Sequence, residues 1–412
     1  MNTAAARATP AVPAPAPEVP LSQDARIIGL VGLAHASSHF SHLLLPPLFP
    51  IFAKEFGLSF SQLGFLMTMF FIISGTGQAL SGFVVDKVGA RPVLFGSFVC
   101  FICACLSGYF AHSYAGLMGV AVFAGLGNAP FHPVDFSILN QRVSTRRLGY
   151  AFSAHGLSGN LGWALTPVFL LFFTASHGWR AGYLAAAALY AGILAVLVLN
   201  RSALRTEVVH HAADAAQGSG TAFLRLPVVW WCFSFFLLST KTLAVVQNFA
   251  SPIMQAMHGV SFEAATTMIT AYMLCGALGM FIGGLVAARM PRQSDRVVAW
   301  AMGIGAVLIV LAATGWLGGF GSMAMLAATG FAVGIGGPSR DMMIKKATPK
   351  SATGRVYGTV YSGLDMGFAL APLIYGLFMD RGLYAATLML AAVFLTLSVV
   401  AALGVGKRTV AS

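Results

Sequence analysis

Gly149-Tyr-Ala-Phe-Ser-Ala-His-Gly-Leu-Ser-Gly-Asn160-Leu-Gly162-Trp-Ala-Leu-Thr-Pro167 and Gly354-Arg-Val-Tyr-Gly-Thr-Val-Tyr-Ser-Gly-Leu-Asp365-Met-Gly367-Phe-Ala-Leu-Ala-Pro372 align without a gap. Asn160 pairs with Asp365, Gly162 with Gly367, Trp163 with Phe368 and Pro167 with Pro372. A proline-containing polar stretch precedes each, Phe131-His132-Pro133-Val-Asp135 and Gly337-Pro338-Ser339-Arg340-Asp341. The chain reads as two copies of one apolar module. In a membrane, such paired modules place a solute site near the midplane between them, reached from each side in turn.

Composition puts the modules in a bilayer. Of the 412 residues, 58% are hydrophobic and 9% charged, and the mean hydropathy is +0.80. A soluble domain carries about a quarter charged residues, so this chain lacks the means to cover a water-facing surface. Apolar runs give twelve spans of about 20 residues or more, near 27–52, 60–85, 92–111, 114–140, 148–174, 180–200, 228–256, 263–288, 296–314, 320–345, 354–378 and 383–405. Alternating ten-residue strands are absent, which favours an all-α membrane protein with two pseudo-symmetric six-helix bundles over a barrel.

The net charge of +12 would suggest nucleic acid in a soluble protein, but its distribution follows the spans. Arg26, Lys87, Arg91, Arg142, Arg146, Arg147, Arg201, Arg205, Arg289, Lys345, Lys407 and their neighbours fall on one side, and only Lys54, Arg180 and Arg381 on the other. This positive-inside pattern expects both termini in the cytoplasm. Residues 1–24, rich in Ala and Pro, read as a disordered cytoplasmic tail without a signal-peptide core. Residues 25–200 and 227–406 read as the two bundles, 201–226 as a flexible cytoplasmic linker and 407–412 as a second tail. His210 and His211 in the linker read as solvated, and Cys100, Cys103, Cys105, Cys232 and Cys275 as small core hydrophobes, so no metal is assigned to them.

Between the second and third spans stands Gly82-Phe-Val-Val-Asp86-Lys87-Val-Gly89-Ala-Arg91. At that position, with a matching second half, it resembles the cytoplasmic signature of the major facilitator superfamily, over residues 25–406. Gly82 suits close helix approach and Gly89 a tight turn. The resemblance implies that Asp86 meets the start of span eleven near Thr353 and Gly354, where a helix N-terminus favours a carboxylate, with Arg142 as basic partner. These contacts would close the cytoplasmic side. The second-half copy, Gly284-Leu-Val-Ala-Ala288-Arg289, has Ala288 where Asp86 stands, so its latch is weaker. Within the superfamily, Phe131-His132-Pro133 and Gly159-Asn160-Leu-Gly162-Trp-Ala-Leu-Thr-Pro167 are similar to the group containing fosmidomycin-resistance exporters.

Ionisable groups at membrane depth are costly and default to functional candidates. His35, His39 and His42 fall within about 60° of one another on a helix turning about 100° per residue. Three readings stand open: a cavity wall of protonatable imidazoles, a transition-metal site, and interhelical hydrogen bonding. His132 and Asp135 lie one turn apart in span four, and Arg340 and Asp341 occupy the matching place in span ten. The family architecture implies that spans one, four, seven and ten line the cavity. Arg340 reads equally as an anion site or as a partner of Asp135 or Asp341. Lys241, deep in span seven with Asn248 on the same face, needs a carboxylate or a bound anion. Asp365 is a candidate proton carrier or a partner of Lys241, with His155 and Tyr361 nearby. The substrate-binding candidates are thus His35, His39, His42, His132, Lys241, Asn248, Arg340 and Tyr361. The proton-coupling candidates are Asp135, Asp341, Asp365 and His39.

The expected function is secondary active transport of a small anionic or zwitterionic organic solute, coupled to protons. Drug export, or import of a carboxylate or metal chelate, is the alternative. No nucleotide-binding motif is present, and no nucleophile or metalloprotease motif supports an enzyme. The expected partners are the lipid bilayer, the solute and protons, with no cofactor and no nucleic acid. The expected setting is a bacterial inner membrane, with the monomer as the form the resemblance implies.

Overall fold

The computed structural model describes residues 19–207, 222–347 and 353–409. Its elements are helical throughout: α1 (Leu21–His42), α2 (Phe49–Phe56), α3 (Phe60–Val88), α4 (Ala90–Tyr109), α5 (Tyr114–Asn128), α6 (Phe131–Arg142), α7 (Leu148–His177), α8 (Trp179–Leu199), α9 (Pro227–His258), α10 (Phe262–Arg289), α11 (Ser294–Thr314), α12 (Gly318–Ala347), α13 (Thr353–Asp380) and α14 (Tyr384–Thr409). Among the described residues, twelve spans are long and apolar enough to cross a membrane. Two of them are broken. Pro46 and Pro47, which lack donors and clash with a preceding turn, open a short 3-10 turn between α1 and α2. Pro130 separates α5 from α6 in the same way.

The repeat is visible in the caps and in the packing. Ser59 caps α3 by accepting from Gln62 N at 3.2 Å, and Ser261 caps α10 by accepting from Ala264 N at 3.2 Å. α3 and α10 are the second spans of the two bundles. Each crosses to the other bundle, α3 onto α13 and α10 onto α7. Thr68 Oγ1 donates to Ala369 O at 2.7 Å, and Thr270 Oγ1 to Ala164 O at 2.8 Å. Ala164 and Ala369 hold matching places in the two repeats. Pro167 and Pro372 lie inside α7 and α13. The seams between the bundles therefore carry pseudo-symmetric bonds.

Small residues set how closely helices approach, since lipid supplies no hydrophobic drive between them. A Cβ on Gly279, Gly283, Gly330 or Gly334 would overlap a backbone carbonyl across the α10–α12 contact. Gly89 takes φ 83° at the α3–α4 corner, as a tight turn requires. Gly82 departs from expectation. A Cβ there would meet nothing within 4 Å, so it mediates no close approach in this arrangement.

Two segments expected to be loose are partly ordered. Residues 21–24 begin α1, and buried Asp24 accepts from Ser144 Oγ at 2.5 Å and from Arg147 Nη1 at 2.8 Å, which fixes the chain entry. Thr206 Oγ1 accepts from Ala90 N at 2.9 Å, and Glu207 N donates to Gln141 Oε1 at 2.8 Å, so 201–207 pack on the first bundle. Residues 208–221, with His210 and His211, lie outside the described set. Arg26 donates to Asn200 Oδ1, which puts the start of α1 and the end of α8 on one face, here the terminus face.

Candidate functional site

The histidines of α1 recur at about one turn, so their rings stack along one side of the helix. Centroids are 4.5 Å apart for His35 and His39 and 5.1 Å for His39 and His42. α7 presents a matching stripe of His155, Gly159, Gly162 and Thr166. A Cβ on Gly159 would lie 2.8 Å from His39 Cε1, and one on Gly162 would overlap Ala36 O. Thr166 Oγ1 donates to Phe40 O at 3.2 Å. The glycines thus bring α7 close enough for His155 to stack on His35, with centroids 3.5 Å apart and planes at 26°.

α6 adds the carboxylate. Asp135 Oδ2 accepts from His35 Nδ1 and from His155 Nε2, both at 3.0 Å. Asp135 is completely buried, and its Oδ1 has no partner. His132 Nδ1 lies 2.7 Å from Gln78 Oε1 at the exposed edge of the cluster. At the other end, His42 Nε2 lies 3.0 Å from Asn128 Oδ1. Asn128 Nδ2 donates to Ser74 Oγ at 2.7 Å, which ties the His42 end of the cluster to α3. Trp163 packs on His39 at 4.3 Å.

Five predicted site residues, His35, His39, His42, His132 and Asp135, therefore meet in one cluster within the first bundle. The sequence reading sets His155 near Asp365 rather than here and omits Trp163, Asn128 and Gln78; these four complete the cluster. The spacing of His155, Gly159, Gly162 and Thr166 was the available signal, since it marks one helical face of small and polar residues.

The other predicted residues lie apart. Lys241 is 9% exposed, which excludes a lipid-facing role, and its Nζ sits 4.4 Å over the Phe394 ring. Among the described residues it pairs with no carboxylate, so the expected Lys241–Asp365 pair does not form. Arg340 Nε bonds Asp341 Oδ1 at 2.9 Å, and its guanidinium lies 5.2 Å over the Phe236 ring. Its ion-pair partner is the adjacent Asp341, which is half-exposed, not Asp135 across the interface. Tyr361 packs on Phe236 with centroids 4.8 Å apart. Asn248 is buried, and neither atom of its amide finds a partner.

Asp365 lies on the seam. A Cβ on Gly75 of α3 would lie 3.3 Å from Asp365 Cβ. Among the described residues Asp365 has no hydrogen bond and no ion pair. Its repeat mate Asn160 lies on the other seam, 3.9 Å from Met280 Sδ. In the basic motif, Lys87 is exposed, Arg91 Nη1 reaches Arg201 O at 3.4 Å, and Arg142 Nε is buried with no partner among the described residues. The Asp86 and Thr353 side chains lie outside the described set.

The family model described as Major Facilitator Superfamily matches residues 31–308 and 242–411. The Fosmidomycin resistance protein of Escherichia coli is 27% identical over 65% of this chain and 66% of its own length, just under two thirds. The "Probable sulfoacetate transporter SauU" of Cupriavidus necator is 22% identical over 92% of both chains. Among solved structures, a bacterial homolog of the human lysosomal transporter Spinster, inward-facing and unoccupied, superposes with TM-score 0.74 at 17% identity. That superposition covers 95% of this chain and 98% of the other.

Proposed function

The chain belongs to the Major Facilitator Superfamily, whose members here are membrane transporters rather than enzymes, and on that premise we propose that it moves a small organic anion by alternating access, coupled to protons. The observation that carries this reading is Asp365. It is a carboxylate with no partner among the described residues, set on a seam where the two bundles must slide. A carboxylate there can take a proton in one access state and release it in the other. Asp135 is less suited, because one of its oxygens already holds two imidazoles. Asp341 is tied to Arg340.

The anionic substrate rests on Lys241. Lys241 is a buried cation with no carboxylate partner in the described set, and a bound anion would supply its counter-charge. A relative named for sulfoacetate supports that class. The bias of Lys and Arg to the terminus face supports cytoplasmic termini and an inner-membrane setting. A monomer is sufficient, since both repeats lie in one chain.

The test is reconstitution in liposomes with an internal pH reporter and a panel of organic anions, cationic drugs and metal chelates. Anion-dependent proton movement is expected, with loss of proton movement in Asp365→Asn. Anion flux that leaves internal pH unchanged would remove the proton. A response confined to cationic drugs would remove the anion and favour drug export.

A further inference from the structure

The transport reading leaves the centre of the histidine cluster without a task. His35 Nδ1 and His155 Nε2 both point at Asp135 Oδ2 from 3.0 Å. The ligating atoms of the three residues all lie within 4.8 Å of one another. They come from three different helices, α1, α6 and α7, and each residue is buried: 3% exposed for His35, 0% for Asp135 and 7% for His155. The second Asp135 oxygen is buried and unpartnered. Leaving one lone-pair-rich oxygen bare in a low-dielectric interior is costly, and a cation bound by this carboxylate together with the two imidazoles would offset that cost.

We propose that His35, Asp135 and His155 form a binding site for a divalent first-row transition-metal ion of the zinc type. Two imidazole nitrogens and one carboxylate oxygen make a common three-ligand set for such ions, leaving a fourth position open. Zinc-type bonds of about 2.1 Å set ligand atoms roughly 3.4 Å apart in a tetrahedron; each histidine nitrogen lies 3.0 Å from Asp135 Oδ2, and all three ligand atoms lie within 4.8 Å of one another. Magnesium and calcium are disfavoured, because they select oxygen ligands. The rings of His39 and His132 flank that of His35, with centroids 4.5 and 5.7 Å from it. One carboxylate against a divalent ion leaves a net positive centre, which suits an anion or hydroxide in the fourth position. This site differs from the three α1 histidines taken together, because His39 and His42 face Trp163 and Asn128 instead.

The full chain, stripped with chelator and free of any affinity tag, is titrated with Co2+ and Zn2+ in nanodiscs, with Mg2+ as control. One Co2+ per chain is expected, with the visible absorption of a tetrahedral ion, displaced by Zn2+ and untouched by Mg2+. Asp135→Asn and His155→Gln should each weaken binding by at least about tenfold. The ion should raise the melting temperature of the parent protein and not of these variants. His210→Ala with His211→Ala, and Cys100→Ser with Cys103→Ser, should bind as the parent does. Absence of a saturable ion in the parent, or binding lost with the paired histidines or the cysteines and retained in Asp135→Asn, overturns the proposal. None of these readouts depends on transport, so the metal site and the transport reading fail separately.

Discussion

Gly159 is a hydrogen atom where any other residue would touch a ring. Its Cβ would stand 2.8 Å from His39 Cε1 and 3.0 Å from both ring nitrogens. His39 has no room to retreat, since Trp163 lies 4.3 Å from it and His35 4.5 Å. Overpacking of this kind costs about 1–3 kcal/mol. Gly159→Ala should therefore lower the melting temperature and disturb the stacked histidines, while Gly156→Ala, whose added carbon meets nothing within 4 Å, should change little. Thermal unfolding of the two variants in one detergent measures the contrast. Equal melting temperatures would mean that α7 can back away from α1, and that the glycine stripe does not set their spacing.

At the scale of elements, the same stripe shows what a sequence can and cannot convey. Helical periodicity placed the spans, and the repeat paired their glycines. Gly162 and Gly367 each lie against the first helix of their own bundle, on Ala36 O and Leu237 O. Periodicity gives a face but not the residue opposite it, so the meeting of His155 with Asp135 was not legible. Asp380 is a second case. At the end of α13 it accepts from Phe60 N at 2.5 Å and Ser61 N at 3.1 Å, the free donors at the start of α3. These partners are about 320 positions apart, and no local pattern links them. The prolines at 46, 47 and 130 did carry a local signal for broken helices, overridden in the reading by the continuous apolar run around them. Asp380 thus acts as a helix cap supplied by the other bundle, an interaction worth about 1 kcal/mol. Asp380→Ala should loosen the face opposite the termini. Labelling of Ser61→Cys by a membrane-impermeant maleimide should then speed up by about fivefold, the factor matching that energy. Unchanged labelling would make the cap local to α3.

At the scale of the whole molecule, described contacts join the bundles along the outer half of the α3–α13 seam. From the face opposite the termini inward, α3 and α13 meet at Phe60 and Asp380, at Thr68 and Ala369, at the stacked rings of Phe71 and Phe368 4.4 Å apart, and at Gly75 and Asp365. These contacts hold α3 and α13 together along that half of the seam. The basic motif of Asp86 and Arg142 belongs to the terminus face, and we propose that it is the opposing latch. The two sets should then pull one equilibrium in opposite directions. Thr68→Val and Thr270→Val each remove one bond of about 0.6 kcal/mol between packed membrane helices. They sit on separate seams, so their effects should add, shifting the population toward opening at the face opposite the termini by about sevenfold. Asp86→Asn should shift it toward opening at the terminus face, with insertion intact and transport slowed. Combined in one chain, the three changes should offset each other. Distances between spin labels on α3 and α13, one pair near each face, report the populations directly. Shifts of the same sign in both variants would break the opposition and leave the basic motif as a determinant of topology alone.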